Sequence, residues 1–187
     1  MKGTAERTRS TAEARRIEAL EAALTAFSAT GYHATTVSDV ARTAGISHGY
    51  VMRLFATKLG LFVATLEEGY ARITDALKTG AALAHGTQPE DVLASMADAY
   101  GSLIGADRRL LMVQVHAQSA CSVPEIREAV RRGLADLTNV AHDLAGADAA
   151  ELQRFFAYGQ LCHLVATADL ESVDEPWART IDHGISH

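Results

Sequence analysis

Apolar residues recur at steps of three and four along nearly the whole chain, the spacing that gathers them on one face of a helix. Ile17, Leu20, Leu24 and Phe27 form the first such stripe. It predicts a helix from about Thr11 to Thr30 that stops at Gly31, a residue free to take the left-handed conformation. Thr36, with Asp39 three residues on, predicts the start of a second helix whose inner face is Val37, Val40 and Ala41. The turn Ala44-Gly45-Ile46-Ser47 leads to a third helix through about Leu54, capped by Ser47. Thr57 opens a long fourth helix towards Lys78. The stretch AHGTQP (84–89) reads as a loop, and Pro89 starts a helix carrying Val92, Leu93, Met96, Tyr100 and Leu103. Another helix is predicted from Arg108 to Ser119. Ser122 and Glu125 have the spacing of a capping box, starting a helix to about Leu144. Asp148 and Glu151 repeat that spacing for a helix to about Leu170, and Asp174 with Pro176 begins a short last one carrying Trp177. There is no β alternation of useful length. The pattern predicts an all-α chain of about nine helices.

A chain of 187 residues can bury about 70% of the surface its unfolded form exposes, so a sizeable core is expected. No apolar run approaches the length of a membrane span, and the polar N-terminal stretch has no signal-peptide character, which predicts a cytoplasmic protein with no membrane partner. Cys121 and Cys162 are too few for a disulfide scaffold and are expected to be reduced thiols. The net charge of −6 excludes a uniformly basic nucleic-acid binder. Its distribution is uneven, however: residues 1–58 carry eight basic against five acidic groups, and residues 59–187 nine against eighteen. That asymmetry suits a small polyanion-binding head on a body that avoids DNA. The basic arm (Lys2, Arg7, Arg9, Arg15, Arg16) could then follow the backbone or enter a minor groove, although a solvated tail explains it equally well.

Residues 36–55, TVSDVARTAGISHGYVMRLF, have the parts of a helix-turn-helix. Ala41 is small where two helices cross, Gly45 makes the turn, and Ile46, Val51 and Phe55 anchor the second helix while its other face stays free for a major groove. The segment ATGYHATTVSDVARTAGISHGYVMRLFATKLGLF (29–62) resembles the DNA-binding domain of the TetR/AcrR family of transcriptional regulators. The shared features are Gly31-Tyr32, Thr35-Thr36-Val37, Val40-Ala41, Ala44-Gly45-Ile46-Ser47, Gly49, Phe55 and Lys58. A looser likeness extends over 124–137 and 154–170. The resemblance implies a DNA-binding domain over 1–56 and a helical effector-binding and dimerisation domain over 57–187. It also implies a homodimer joined through its C-terminal helices, a palindromic double-stranded operator, an unknown small-molecule effector and a repressor released by that effector. No cofactor and no enzymatic activity are expected.

The start of the second helix is a natural anion site, where Thr36 can offer its N–H and hydroxyl to a phosphate. The resemblance adds Lys58 as a second backbone contact. Such contacts set register without reading sequence. Sequence would be read by the outward face of the third helix, with Ser47, His48, Gly49, Tyr50, Met52 and Arg53, and by Ser38 beside it. Arg53 is suited to a bidentate guanine contact. Met52 and Leu54 stand where the family usually has Tyr and His, Tyr50 stands where a small residue is usual, and Gly60 is expected to loosen the first turn of the fourth helix. For the effector, Met96, Tyr100, Met112, Gln114, His116, Phe156 and Tyr158 combine apolar bulk with a few polar groups. Gln160 and His163 fit either that pocket or a dimer seam, and Gly159 and Ala166 would permit close approach across the seam.

Two rival chemistries are weak. Gly45-Ile46-Ser47-His48-Gly49 spells the G-x-S-x-G nucleophile elbow, but that motif requires a strand-to-helix turn above a sheet. Metal ligation lacks convincing spacing: Cys162 and His163 are adjacent, His183 and His187 lie at the terminus, and His116 with Cys121 flanks a helix end. No metal site is expected.

Overall fold

The computed structural model describes residues 2–185, with side chains described from residue 12 onward. Nine α-helices follow in order: α1 (Lys2–Ala34), α2 (Val37–Ala44), α3 (His48–Phe55), α4 (Lys58–Ala82), α5 (Pro89–Ala106), α6 (Arg109–Ser119), α7 (Pro124–Ala145), α8 (Ala149–Thr167) and α9 (Pro176–Asp182). A single 3-10 turn, Leu170–Ser172, links the last two, and no strand occurs among the described residues. No single described helix is long and apolar enough to cross a membrane.

Most boundaries follow the local chemistry of the sequence. At α2, the Thr36 hydroxyl accepts from the Asp39 N–H while the Asp39 carboxylate accepts from the Thr36 N–H, a complete capping box. Gly45 ends that helix at φ 65°, and Ser47 caps α3 by accepting from the Tyr50 N–H. Asp148 and Glu151 form a second full box at α8. The box expected from Ser122 and Glu125 does not form, because α7 begins at Pro124 with Val123 as its uncapped N-cap. A residue preceding proline is pushed out of the helical region, so Val123 (φ −80°, ψ 117°) cannot be the first helical residue that such a box requires.

Two further expectations need correction. Ile17 is 55% exposed; the buried face of α1 is made instead by Ala19 and Ala23, both fully buried, with Leu24 and Phe27. Gly60 does not loosen α4. A side chain there would stand 2.6 Å from the Phe55 carbonyl oxygen, so its absence lets α3 end hard against the start of α4, where the Gly60 N–H donates to Thr57 Oγ1.

Helix α4 is the spine of the molecule, packing on α1 at its start and between α5 and α7 further on. Its Phe62 meets Phe27 of α1 edge-on at 4.8 Å and Tyr32 at 5.2 Å, so one buried core runs from the N-terminal helices into the body. Gly80 lets α5 touch α4 backbone to backbone: a Cβ there would be 2.5 Å from the Ser95 carbonyl oxygen and 2.8 Å from Met96 Cα. An ion-pair network closes the junction. Glu21 of α1 pairs with Arg72 of α4 and with Arg109 of α6, Arg72 also reaches Glu68, and Arg109 grips Asp107. Hydrogen bonding from Arg109 holds the Asp107 carboxyl below the usual range.

Candidate nucleic-acid interface and ligand cavity

Helix α3 is fixed by one face and free on the other. Val51 and Phe55 are buried in the head, and Met52 and Leu54 pack against the same core from its edge. Arg16 of α1 locks the helix end, its guanidinium 4.5 Å above the Phe55 ring and within hydrogen-bonding distance of the Leu54 carbonyl. Ser47, His48, Gly49 and Arg53 are exposed on the other side, as is Ser38 on α2. The Arg53 guanidinium lies 4.5 Å over the Tyr50 ring, which holds it against the helix surface.

Several residues singled out from the sequence have internal partners that define what remains free. Thr36 directs both its N–H and its hydroxyl to the Asp39 carboxylate, at 2.9 and 2.6 Å, and Asp39 is in turn paired with Arg42. The helix-start donors left for an anion are therefore the N–H groups of Val37 and Ser38, which have no intrahelical partner by geometry. The Lys58 ammonium sits 4.8 Å over the Tyr32 ring and donates to the His33 carbonyl at 3.1 Å, so it also ties α4 to the end of α1. In the basic arm, Arg16 braces α3 and Arg15 pairs with Glu18 at 2.7 Å. The side chains of Lys2, Arg7 and Arg9 lie outside the described residues.

Gly49 has no structural reason to be glycine. A Cβ placed there meets nothing within 4 Å, and its φ is ordinary. Glycine in a helix is unfavourable by about 0.5–1 kcal/mol against alanine, so Gly49→Ala should leave the head as stable as before or up to about 0.5 kcal/mol more stable. If the missing side chain instead admits a DNA backbone, the same variant loses duplex affinity. Urea unfolding and duplex binding measured together check this; parallel losses in both would show a role in the fold.

The body holds a cavity of about 70 Å³ between α4, α5, α6, α7 and α8. That is room for a few waters, well short of a usual ligand site. Ile73, Leu77, Leu137, Phe155 and Phe156 make its apolar wall, and Tyr100, Gln114, Tyr158, Gln160 and His163 its polar part, with Asp98 also on the lining. Four of the residues expected from the sequence thus meet here: Tyr100, Gln114, Phe156 and Tyr158. Met96, Met112 and His116 do not. Met96 is fully buried at the α4–α5 crossing, Met112 packs against Ile104, Leu111 and Ala166, and the His116 ring lies against Gly31 of α1. The apolar wall was not distinguishable in the sequence from ordinary core, since both need the same residue types at the same spacing.

A hydrogen-bonded chain crosses the polar side. Gln114 donates to the Leu110 carbonyl at 3.0 Å and to the Tyr100 oxygen at 3.3 Å, and Tyr100 lies 2.9 Å from His163 Nε2. Gln114 and His163 are each 6% exposed. Burial lowers the His163 pKa to about 4 and raises that of Tyr100, so both are neutral near pH 7. The second ring nitrogen of His163, Nδ1, is buried without a partner. No group of three or more His, Cys, Asp or Glu among the described residues is placed to hold a metal ion, and His187 lies outside them. Ser47 of the elbow-like motif sits between two helices as an N-cap.

Residues 19–65 match the profile of "Bacterial regulatory proteins, tetR family". Solved structures share the fold over nearly the whole chain. FadR from Bacillus subtilis, solved with stearoyl-CoA, is 18% identical with a TM-score of 0.71, covering 88% of this chain and 94% of its own. The fatty acid degradation regulator FadR from Bacillus halodurans is 20% identical with a TM-score of 0.71, covering 92% and 97%. A TetR family member from Streptomyces coelicolor is 24% identical with a TM-score of 0.68, covering 89% and 95%. No curated protein sequence matches the chain. The matched profile falls on the braced helix-turn-helix, and the whole-chain likeness supplies the fold around it. The N-terminal helix-turn-helix thus matches that of the tetR family of bacterial regulatory proteins over residues 19–65, and the rest of the chain shares the fold of solved structures that carry such a domain.

Proposed function

We propose that the protein is a homodimeric repressor that leaves a palindromic operator when a small molecule enters the body. The observation that carries this reading is α3: a helix pinned by Val51, Phe55 and Arg16 whose other face presents exposed Ser47, His48, Gly49 and Arg53, the last stacked on half-buried Tyr50. On that reading residues 1–56 form the DNA-binding head and 57–187 the effector-binding and dimerisation body. Two such helices in a dimer, about 34–36 Å apart, would enter successive major grooves. The exposed apolar residues Leu164 of α8 and Trp177 of α9 suit a seam between two copies. The apolar cavity suits the effector, and the Bacillus subtilis neighbour, solved with stearoyl-CoA, supports a small-molecule ligand. Because the cavity is small as it stands, an effector binds by favouring a wider body. It then reduces operator affinity by its preference for that state.

Selection of bound duplexes from a random DNA pool tests the reading and supplies the operator. With that operator, Arg53→Ala should weaken specific binding by about 1–3 kcal/mol while sparing random duplex. Lys58→Ala should weaken both and flatten the salt slope by about one unit. An unchanged specific-to-random ratio in the first variant removes Arg53 from base reading. An unchanged salt slope in the second leaves Lys58 only its contacts with Tyr32 and His33.

A further inference from the structure

The hydrogen-bonded chain on the cavity wall has a direction, and the direction says what a ligand must bring. Gln114 Nε2 lies against the Leu110 carbonyl, an acceptor, so that atom is the amide nitrogen. Its other proton goes to the Tyr100 oxygen, which therefore accepts. The Tyr100 hydroxyl proton then has His163 Nε2 as its acceptor at 2.9 Å. A neutral imidazole that accepts at Nε2 carries its proton on Nδ1. That nitrogen is therefore an N–H donor, buried on a residue lining the cavity and without an acceptor. A buried donor without a partner is unfavourable, so a ligand oxygen that reached it would gain more than one meeting a solvated group. The lining holds no Lys or Arg to pair with an anionic ligand, and its one acidic side chain, Asp98, offers no such pairing.

We propose that the cavity takes a neutral carbonyl compound (an ester, amide, lactone or ketone) with an apolar body, whose oxygen accepts the Nδ1–H of His163. This rests on the reading of the cavity as the effector site. It assigns His163 as the residue that selects the ligand's polar group, with Tyr100 and Gln114 positioning its tautomer.

The test uses the full chain with three probes of similar size: methyl benzoate, benzoate and propylbenzene. Binding is measured calorimetrically near pH 7.5 on the wild type, His163→Leu and His163→Asn, the last of which keeps a donor near the Nδ1 position. Heteronuclear NMR follows the His163 ring nitrogens of the wild type. The expected result is that the affinity ratio of methyl benzoate to propylbenzene falls about tenfold in His163→Leu and recovers in His163→Asn. The free protein should show an Nδ1–H that moves with the ester and not with the hydrocarbon, and benzoate should bind more weakly than the ester. If probes bind but the ratio is unchanged in His163→Leu and Nδ1 does not respond, the inference falls while the pocket stands. Tighter binding of benzoate with a doubly protonated ring also overturns it. If no probe binds, the pocket reading and the inference fall together. Should His163→Leu fail to fold, the wild-type spectra decide alone.

Discussion

Gly31→Ala is expected to destabilise the protein by about 3 kcal/mol and to disturb the contact between head and body. Gly31 has φ 74° and ψ 178°, a combination open essentially to glycine, and it breaks α1 where the chain turns into the helix-turn-helix. Strain of this kind alone is of order 1–3 kcal/mol. The added Cβ would also stand 2.9 Å from Nδ1 and 3.2 Å from Cγ of the His116 ring, so α6 or the ring must move. The two contributions separate in a double-mutant cycle. His116→Ala removes the steric part and leaves the backbone part, predicting a coupling of about 1 kcal/mol between the two sites. Urea unfolding of the four proteins measures it. Wild-type stability in Gly31→Ala would contradict the backbone argument, and zero coupling would contradict the contact.

On the proposed reading, the same contact offers a route from the cavity to the helix-turn-helix. Helix α6 carries Gln114 on the cavity wall, His116 against the break in α1 and Arg109 on Glu21 and Thr25 of α1. Widening the cavity by moving α6 therefore disturbs α1 at two places about two turns apart. Neither place lies on the exposed face of α3. On the proposed reading, a variant at His116 is expected to change the response to an effector, although the residue is away from the cavity.

How much of this was legible in the sequence depended on whether a feature is local. The caps at Thr36, Ser47, Thr57 and Asp148 are set by a few neighbouring residues, and each formed as the spacing implied. The box at Ser122 failed for an equally local reason, the restriction that Pro124 places on Val123. Helix α3 was legible because its buried and exposed positions alternate within eight residues. The cavity was legible mainly in its polar members and Phe156, since a Gln in an apolar helix needs a partner while Ile73 or Phe155 does not; the same reasoning misplaced His116, which lies against Gly31 instead. Close approaches were hidden. Nothing around Gly60 or Gly80 in the chain announces that a backbone from another element lies against it, because that follows from packing between elements rather than from the residues beside it.

Acid should unfold the protein earlier than its carboxylates require, and His163 is the cause. Its pKa is about 4 in the folded chain, lowered by burial, against about 6.5 in an unfolded one. Between these values the unfolded state holds the proton that the folded state refuses. Stability is therefore full above about pH 6.5, falls as pH drops through the window, and reaches its whole loss below about pH 4. A shift of this size corresponds to about 3 kcal/mol in all, with about 2 kcal/mol already lost by pH 5. The lowered carboxyls of Asp39 and Asp107 act lower, since their contribution is lost only as pH falls below the ordinary carboxylate range, which leaves the window above pH 5 to His163. His163→Gln keeps a polar group facing Tyr100 and cannot take up a proton, so its stability should change by about 2 kcal/mol less than wild type between pH 7 and pH 5. Urea unfolding at the two pH values gives both differences. Equal slopes would mean that the buried imidazole is protonated as readily in the folded protein as in the unfolded one.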